Sequence, residues 1–472
     1  MSVKTLLAGA LALAGTAKAA PTDSKASANP DGFMNMVYYT DWSIYARDFP
    51  VANMTANTLT HVNFAFLNVH KNGTVFSGDV WADIEKPFSD ETPATYVDDN
   101  GVTQTKAYGC VGELYKLKEK NRRLKTLLSI GGWTWSTNFT FVAAEEASRD
   151  EFAKSSVNLL RDWGFDGIDV DWEYPKSKAD GDNFVTLLKR VRQELDDYAA
   201  KYTPGYHYPL TIAAPAGQAN YQYLDMKGLG EVLDYVNLMG YDYGGSWSAA
   251  SGYLANVYPS TENPASTEFN TEDAVEAYLN GGVPSHKLVL GMPVYGRSFD
   301  QTDGMGKSFV KPADDKVFEA GVDGTWEIGA WDYKALPLEG AEEFDDNKVI
   351  GHYSYDKTKK QLISYDTPKI IASKVDYLRS KKLGGSMFWE ASADKLGEGS
   401  LIAAAYEAQG GTFRASCSQN QLNYPDSIFV NIAAAGKGAS EGSDSPATTS
   451  AAYASSTASS TATATASAAS YA

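Results

Sequence analysis

Short apolar runs recur along the chain and alternate with segments in which apolar residues follow helical spacing. Residues 183–202, for example, carry apolar side chains three and four positions apart, which is typical of an amphipathic helix. Eight runs have the length of strands, at residues 36–42, 61–67, 125–133, 165–173, 210–216, 235–242, 288–296 and 384–390. Eight strands that alternate with helices predict an α/β fold of parallel βα units, and eight is the number that closes a TIM, or (β/α)8, barrel.

One interval breaks this regular spacing. The stretch between the seventh and eighth runs is the longest in the pattern, and it contains short Tyr- and Trp-rich pieces such as GTWEIGAWDYKAL. We therefore expect a small α+β insertion domain at residues 298–364, between strands seven and eight of a barrel domain that spans residues 34–410. A short C-terminal segment, residues 411–435, follows the barrel.

The N-terminal end predicts export. Lys4 precedes an apolar stretch at residues 5–15, and small residues follow it. This is the three-part pattern of a secretory signal peptide, here at residues 1–19, and residues 20–33 form a short segment before the barrel. The apolar stretch is too short to span a bilayer, so a secreted protein is expected rather than a membrane protein. Three Asn-x-Thr glycosylation sequons fit this interpretation, at Asn53, Asn72 and Asn138.

The opposite end differs in composition. Residues 436–472 are rich in Ser, Thr and Ala, and they cannot bury enough apolar surface to offset the loss of chain entropy on folding. A disordered, O-glycosylated tail is predicted there. A glycosylphosphatidylinositol anchor is the alternative, although it requires a more hydrophobic terminus than this one.

Composition and charge exclude several classes of function. The net charge of −18 argues against nucleic acid and anionic lipid as partners, because both are bound by basic patches. The five histidines are scattered without ligand spacing, so neither a metal site nor a cofactor is predicted. Only two cysteines are present, Cys110 and Cys417, and the sequence leaves open whether they form one bridge or remain free thiols.

The most informative stretch is DGIDVDWEYP, at residues 166–175. In a strand, alternate side chains share a face, so Asp169, Asp171 and Glu173 point one way while apolar neighbours point the other. In a barrel the acids would face inward near the carboxyl end of the strand, which is where such barrels hold their active sites. Three neighbouring carboxyls cannot all ionise cheaply, and a protonated acid beside an ionised one can protonate a leaving group. The rim position makes Glu173 the natural acid.

Two alternatives compete with this interpretation. A calcium-binding loop also spaces acids at alternate positions, but it requires glycine where this chain has Tyr174. An acidic edge strand facing solvent conflicts with the flanking aromatic residues and with the abrupt Pro175.

Several motifs resemble those of a known family, the family 18 glycoside hydrolases, or chitinases. The acidic stretch is similar to that family's signature, and the match extends over residues 36–409 with the strands in family order; secreted fungal endochitinases are the most similar members. The motifs that carry the resemblance are Asp166-x-x-Asp169-x-Asp171-x-Glu173, SIGGW at 129–133, MGYD at 239–242, YGR at 295–297 and Trp389 in MFWE.

The resemblance implies a substrate and a mechanism. The expected substrate is chitin or a chitooligosaccharide, and Glu173 would protonate the glycosidic oxygen at an internal β-1,4 linkage. The sugar's own acetamido oxygen would then attack the anomeric carbon, giving an oxazolinium ion. Asp171 would accept the acetamido N–H, Asp169 would share its proton, and Tyr241 would hold the acetamido oxygen. Glu173 would finally act as base on water, with configuration retained.

The resemblance also implies a binding groove, because sugar rings present apolar faces that stack on flat aromatic side chains. Trp389 would form the floor, and Trp133 would stack sugars further along. For Trp135 and Tyr39 a role in the core is an equal alternative. The full set of expected binding residues is Gly131, Gly132, Trp133, Thr134, Tyr174, Met239, Gly240, Asp242, Tyr295, Arg297 and Trp389.

Two other functions remain open at this stage. A non-catalytic chitin-binding lectin can be built on the same barrel, but such proteins typically lose the terminal acid, and Glu173 is present. An endo-β-N-acetylglucosaminidase acting on N-glycans is the second alternative. For the enzyme we expect an extracellular monomer, free or associated with the cell wall, whose activity is highest in mildly acid solution.

Overall fold

A computed structural model describes residues 32–88, 95–97, 101–311, 326–327, 329–413 and 415–435. The predicted signal peptide at 1–19 and the predicted tail at 436–472 lie outside these residues. Among the helices of the described part, none is long and apolar enough to cross a bilayer.

Sixteen strands are present in the described residues. In chain order they are β1 Met34–Thr40, β2 His61–Val69, β3 Val75–Ser77, β4 Thr95–Val97, β5 Thr103–Thr105, β6 Lys125–Gly131, β7 Gly167–Asp171, β8 Leu210–Pro215, β9 Tyr235–Met239, β10 Leu288–Pro293, β11 Tyr295–Phe299, β12 Ala330–Asp332, β13 Glu342–Asp346, β14 Gly351–Asp356, β15 Gln361–Ser364 and β16 Gly385–Trp389.

Eight of these strands form a closed parallel barrel. Their order is β1-β16-β10-β9-β8-β7-β6-β2, and β1 also pairs with β2, which closes the cylinder. The seam therefore joins the first and the last barrel strands in parallel, with Met36 opposite Met387. Each of the eight predicted apolar runs overlaps one barrel strand, so the predicted TIM barrel is confirmed.

Helices surround the barrel and bury their apolar faces against it. They are α1 Gly109–Lys120, α2 Phe139–Ala144, α3 Glu146–Trp163, α4 Lys178–Tyr202, α5 Gln218–Tyr221, α6 Met226–Val232, α7 Thr271–Gly281, α8 Pro368–Lys381, α9 Leu401–Gln409 and α10 Val430–Ala435. Local sequence fixes their ends. For example, the Ser177 side chain accepts the Asp180 N–H at the start of α4, and Gly164 takes the left-handed conformation that ends α3.

The long interval before β16 holds a second sheet. Strands β12-β11-β15-β14-β13 form five antiparallel strands in that order. Within the described part of the insertion, the short 3-10 helix Tyr333–Ala335 is the helical element. The first strand of this sheet, β11, begins two residues after β10 ends, so the sheet rises directly from the carboxyl end of the barrel.

The other end of the barrel is closed by the C-terminal segment. Lys118 and Asp166 form an ion pair of 2.9 Å in which both side chains are almost fully buried. Asp166 also accepts hydrogen bonds from the Tyr206 hydroxyl at 3.0 Å and from the Gln421 N–H at 2.7 Å. The Tyr424 hydroxyl donates to the Phe165 carbonyl oxygen at 2.6 Å. The contacts of Gln421 and Tyr424 tie residues 415–435 to the amino end of β7.

The structure also decides between the two alternatives for the cysteines. Cys110 is buried on α1, Cys417 is exposed, and both are free thiols.

Candidate active site

The acidic strand β7 has two distinct faces. Ile168 and Val170 are fully buried in the layer between barrel and helices, and the Trp172 ring stacks on Phe139 with centroids 5.7 Å apart. The opposite face carries Asp169 and Asp171 into the barrel, where neither side chain is appreciably exposed. The predicted alternation is therefore present in the strand.

Asp169 lies in a saturated hydrogen-bond environment. Its Oδ2 accepts from the Tyr38 hydroxyl at 2.8 Å and from the Ser129 hydroxyl at 2.7 Å. Its Oδ1 accepts from the Thr211 hydroxyl at 2.6 Å and from the Asn237 amide at 3.3 Å. Burial raises the pKa of Asp169, and these four donors oppose the rise because they stabilise the charged form.

The carboxyl of Asp171 differs from that of Asp169 in its hydrogen bonding. Its Oδ1 is buried and has no hydrogen-bond partner among the described residues. Burial, followed by the charges of Glu173 and Asp169, raises the pKa of this carboxyl well above its usual value. An unpaired buried acceptor is costly, so Asp171 is suited to receive an N–H from a bound ligand.

Glu173 lies just past the end of β7 and is half-buried. Burial raises its pKa to about 7, while hydrogen bonds from Tyr174 and from the Trp133 backbone oppose the rise. Its backbone N–H donates to the Ser136 hydroxyl at 2.7 Å, and that hydroxyl lies 2.9 Å from the Gly132 carbonyl oxygen. The carboxyl is therefore held at the barrel mouth and can exist in either protonation state near neutral pH.

The glycine pair after β6 allows the chain to pass close to β7. Gly131 has a φ of +114°, and a Cβ at this position would lie 2.2 Å from the Asp171 carbonyl oxygen. Gly132 has a φ of +79°, and a Cβ there would lie 2.6 Å from the Phe66 ring. A side chain fits at neither position.

Trp389 forms an aromatic floor beside the acids. Its ring stacks on Phe66 with centroids 5.6 Å apart and lies 5.5 Å from the Tyr38 ring. Tyr241 packs against the same cluster and is half-buried, and its hydroxyl lies 4.0 Å from Met387 Sδ.

A polar wall stands on the β9 and β11 side. Arg297 Nε donates to Asp242 at 2.9 Å, and its guanidinium also pairs with Glu327 at 2.6 Å. The same guanidinium lies 5.1 Å from the centre of the Trp247 ring and 5.2 Å from that of Tyr295. The wall thus combines flat aromatic rings with a charged hydrogen-bond donor.

The remaining predicted residues also lie at this end of the barrel. Trp133 and Thr134 are exposed on the 3-10 helix Trp133–Asn138, and Tyr174 is buried beside Glu173. Met239 is the last residue of β9 and is half-buried, and Gly240, which follows it, is buried. Tyr39 and Trp135, for which a role in the core was an equal alternative, differ from each other. Tyr39 belongs to the core and bonds the Phe49 carbonyl oxygen, whereas Trp135 packs half-buried next to Phe66.

Several residues of the site were not anticipated from the sequence. They are Tyr38, Phe66, Ser129, Ser136, Thr211, Asn237 and Trp247. Four of them, Tyr38, Ser129, Thr211 and Asn237, lie on barrel strands far apart in the chain, and the signal available for them was a polar residue in a predicted apolar strand. Phe66 is an apolar residue of β2, and Ser136 and Trp247 lie outside the strands, so no such signal marked these three.

Comparison with known proteins places this geometry in context. The family model "Glycosyl hydrolases family 18" matches residues 34–394. Chitinase 1 of Aphanocladium album is 51% identical over 420 residues, which is 88% of this chain and 95% of that protein. Endochitinase 1 of Metarhizium robertsii is 52% identical over 411 residues, 87% of this chain and 92% of that protein. Among solved structures, chitinase ChiA74 from Bacillus thuringiensis superposes with a TM-score of 0.71 at 31% identity, covering 80% of this chain and 70% of that one.

Proposed function

Because the chain belongs to family 18 of the glycosyl hydrolases, we propose that it is a secreted chitinase that cleaves internal β-1,4 linkages between N-acetylglucosamine units. The relatives named above support the substrate. The N-terminal pattern and the sequons support secretion. The observation that carries the chemistry is the contrast between the three acids: Asp169 is saturated with donors, Asp171 has an unpaired buried oxygen, and the pKa of Glu173 is about 7.

The first step is protonation of the leaving group. Glu173 lies at the mouth of the barrel, and below pH 7 its carboxyl is protonated in most molecules. It can therefore donate a proton to the glycosidic oxygen. As the bond breaks, the acetamido oxygen of the same sugar attacks the anomeric carbon and an oxazolinium ion forms. The glutamate, now ionised, takes a proton from water as that water opens the ring, and configuration is retained.

Asp171 and Tyr241 orient the acetamido group. The unpaired Oδ1 of Asp171 accepts the acetamido N–H, and the negative charge of this carboxylate offsets the positive charge of the oxazolinium ion. Tyr241 donates its hydroxyl to the acetamido oxygen. Asp169, two residues before Asp171 on the same face of β7, shares its proton, and the flat Trp389 ring supports the sugar from beneath.

The remaining predicted residues extend the groove on both sides of the cut. Trp133 stacks a sugar ring further along the groove, and Arg297 with Asp242 contacts hydroxyl or acetyl groups. Gly131 and Gly132 let the backbone approach the sugar. Thr134, Tyr174, Met239, Gly240 and Tyr295 complete the surface.

The decisive experiment compares Glu173→Gln with wild type on chitooligosaccharides. We expect kcat to fall about 100- to 10,000-fold, because the acid is lost, while oligomer affinity measured by calorimetry stays near the wild-type value. Glu231→Gln is the matched control, since Glu231 is an exposed side chain on α6. Full activity of Glu173→Gln would refute the acid assignment, and a wild type that binds without cutting would identify a lectin.

The substrate itself provides a second test. Fully deacetylated oligomers lack the acetamido nucleophile, so we expect them to resist hydrolysis, whereas acetylated hexamers are cut. Product sizes from the hexamer report internal or terminal cleavage. Hydrolysis of N-glycans in place of chitin oligomers would favour an endo-β-N-acetylglucosaminidase.

A further inference from the structure

Arg47 joins three segments of the chain behind the aromatic floor. It follows the 3-10 helix Asp41–Ile44, and its side chain is mostly buried. Its Nη1 lies 2.9 and 3.2 Å from the two carboxylate oxygens of Asp332, 3.5 Å from Glu390 Oε1 and 3.3 Å from the Ser392 hydroxyl. The guanidinium also stacks over Trp326, 5.0 Å from the ring centre.

The partners of Arg47 are attached directly to the two sides of the proposed sugar site. Glu390 follows Trp389 in the chain, so its anchoring fixes the peptide that carries the floor. Asp332 pairs with Tyr295 across the β11–β12 ladder, so its anchoring fixes the strand that carries the wall. One guanidinium therefore connects floor and wall, which belong to the barrel and to the insertion sheet respectively.

The guanidinium of Arg47 compensates the charges of two buried acids. Asp332 and Glu390 are both almost fully buried, and the charge of Asp332 disfavours ionisation of Glu390. Lys334 lies 3.4 Å from Asp332 and bonds the Ser392 carbonyl oxygen, while Glu390 has Arg47 and the hydroxyl and N–H of Ser392 as its partners. Removal of Arg47 would leave Glu390 with an uncompensated buried charge, which is strongly unfavourable. Burial of Glu390 already raises its pKa, and Arg47 opposes that rise.

We propose that Arg47 is a positioning residue for substrate binding: through Asp332 and Glu390 it fixes the spacing between the Trp389 floor and the Tyr295–Arg297 wall. It does not touch the sugar. Its effect is on how well a ring fits between the two surfaces, and misplacement of such surfaces by about 1 Å is enough to weaken productive binding severely. This role rests on the proposed chitinase function.

The test measures kcat and KM for a chitooligosaccharide with Arg47→Met and Arg47→Lys. For Arg47→Met we expect KM to rise about tenfold, because floor and wall separate. We expect Arg47→Lys, which keeps the charge but loses the fork of donors, to recover part of the loss. The pH profile should not move in either variant, since Glu173 keeps its surroundings. Arg190→Met is the matched control: Arg190 pairs with Asp150 and Glu194 on the outer helices, and we expect its loss to leave KM unchanged.

Each outcome decides the role. A purely structural Arg47 would reduce the fraction of folded enzyme, so kcat would fall while KM stayed constant, and this result would overturn the proposal, as would unchanged KM in both variants. If Arg47→Met does not fold, the double variant R47M/E390Q, which removes the orphaned charge, carries the same KM comparison. A wild type inactive on chitooligosaccharides would refute the proposed function itself, whatever the Arg47 variants do.

Discussion

Protonation of the single carboxyl of Glu173 governs the pH dependence that we expect. Its pKa is raised to about 7, first by burial, so the acid is protonated below pH 7 and is lost as pH rises through that value. We therefore predict that kcat/KM falls about tenfold per pH unit above pH 8 and is highest in mildly acid solution. Initial rates on a soluble oligomer check this, and a flat profile between about pH 4 and 9 would contradict it.

Two neighbours of Glu173 should move that profile in opposite directions. Lys176 lowers the pKa of Glu173 and Asp242 raises it. We predict that Lys176→Met moves the falling limb to higher pH and that Asp242→Asn moves it to lower pH. Asp242 also pairs with Arg297, so the position of the limb, not the absolute rate, is the informative measurement. Shifts of the same sign in both variants would reject Glu173 as the titrating group.

The Ser136 hydroxyl is a second residue-scale determinant. It accepts the Glu173 N–H and lies within hydrogen-bond distance of the Gly132 and Asp171 carbonyl oxygens. We predict that Ser136→Ala costs about 1–3 kcal/mol of unfolding free energy, because buried backbone groups lose their partner, and that kcat falls as well. Ser156→Ala, at a buried serine on α3, is the control; it should lower stability slightly in urea unfolding and leave kcat unchanged.

At the scale of elements, the turn between β6 and the following 3-10 helix depends on Gly131. Gly131→Ala would combine a positive φ with a clash against the Asp171 carbonyl oxygen. Gly205 separates the two effects, since its φ is +89° and a Cβ there would meet nothing within 4 Å. We predict that Gly205→Ala costs about 1–2 kcal/mol and keeps full activity, whereas Gly131→Ala costs more and abolishes activity. Thermal unfolding and rate assays would show the difference, and equal effects would contradict it.

The elements were largely predictable from the sequence, and their contacts were not. The strand that carries Asp169 and Asp171 follows from a two-residue period that a strand must obey. The donors to Asp169 could not be found in this way, because Tyr38 and Asn237 approach it only after the barrel closes. Asp166 shows the limit within a single motif: it belongs to the same acidic signature, yet its side chain pairs with Lys118 at the opposite end of the barrel.

At the scale of the whole molecule, the buried Lys118–Asp166 pair joins α1 to the start of β7, at the end of the barrel where Gln421 of the C-terminal segment also bonds Asp166. We predict that Lys118→Met destabilises the protein by about 3–5 kcal/mol, because it leaves an unpaired buried carboxylate, and that K118M/D166N recovers much of the loss. Urea unfolding measures both. The rate per folded molecule should stay at the wild-type value, since this pair lies at the far end from Glu173. A double variant as unstable as the single one would show that the pair is not coupled in this way.

The barrel seam has a consequence for how the enzyme is made. A growing polypeptide emerges with β1 first, but the partner that completes its open side, β16, is synthesised last among the eight. Until β16 is made, the backbone N–H and C=O groups on this edge of β1 have no strand partner, and they can pair with strands of other chains. Closure between such distant segments is also slow, because the entropy of loop closure is lost before the stabilising contacts between them form. Intermediates that lack β16 therefore leave this edge of β1 uncovered, and the acids at the mouth acquire their final surroundings only when synthesis of the barrel is complete.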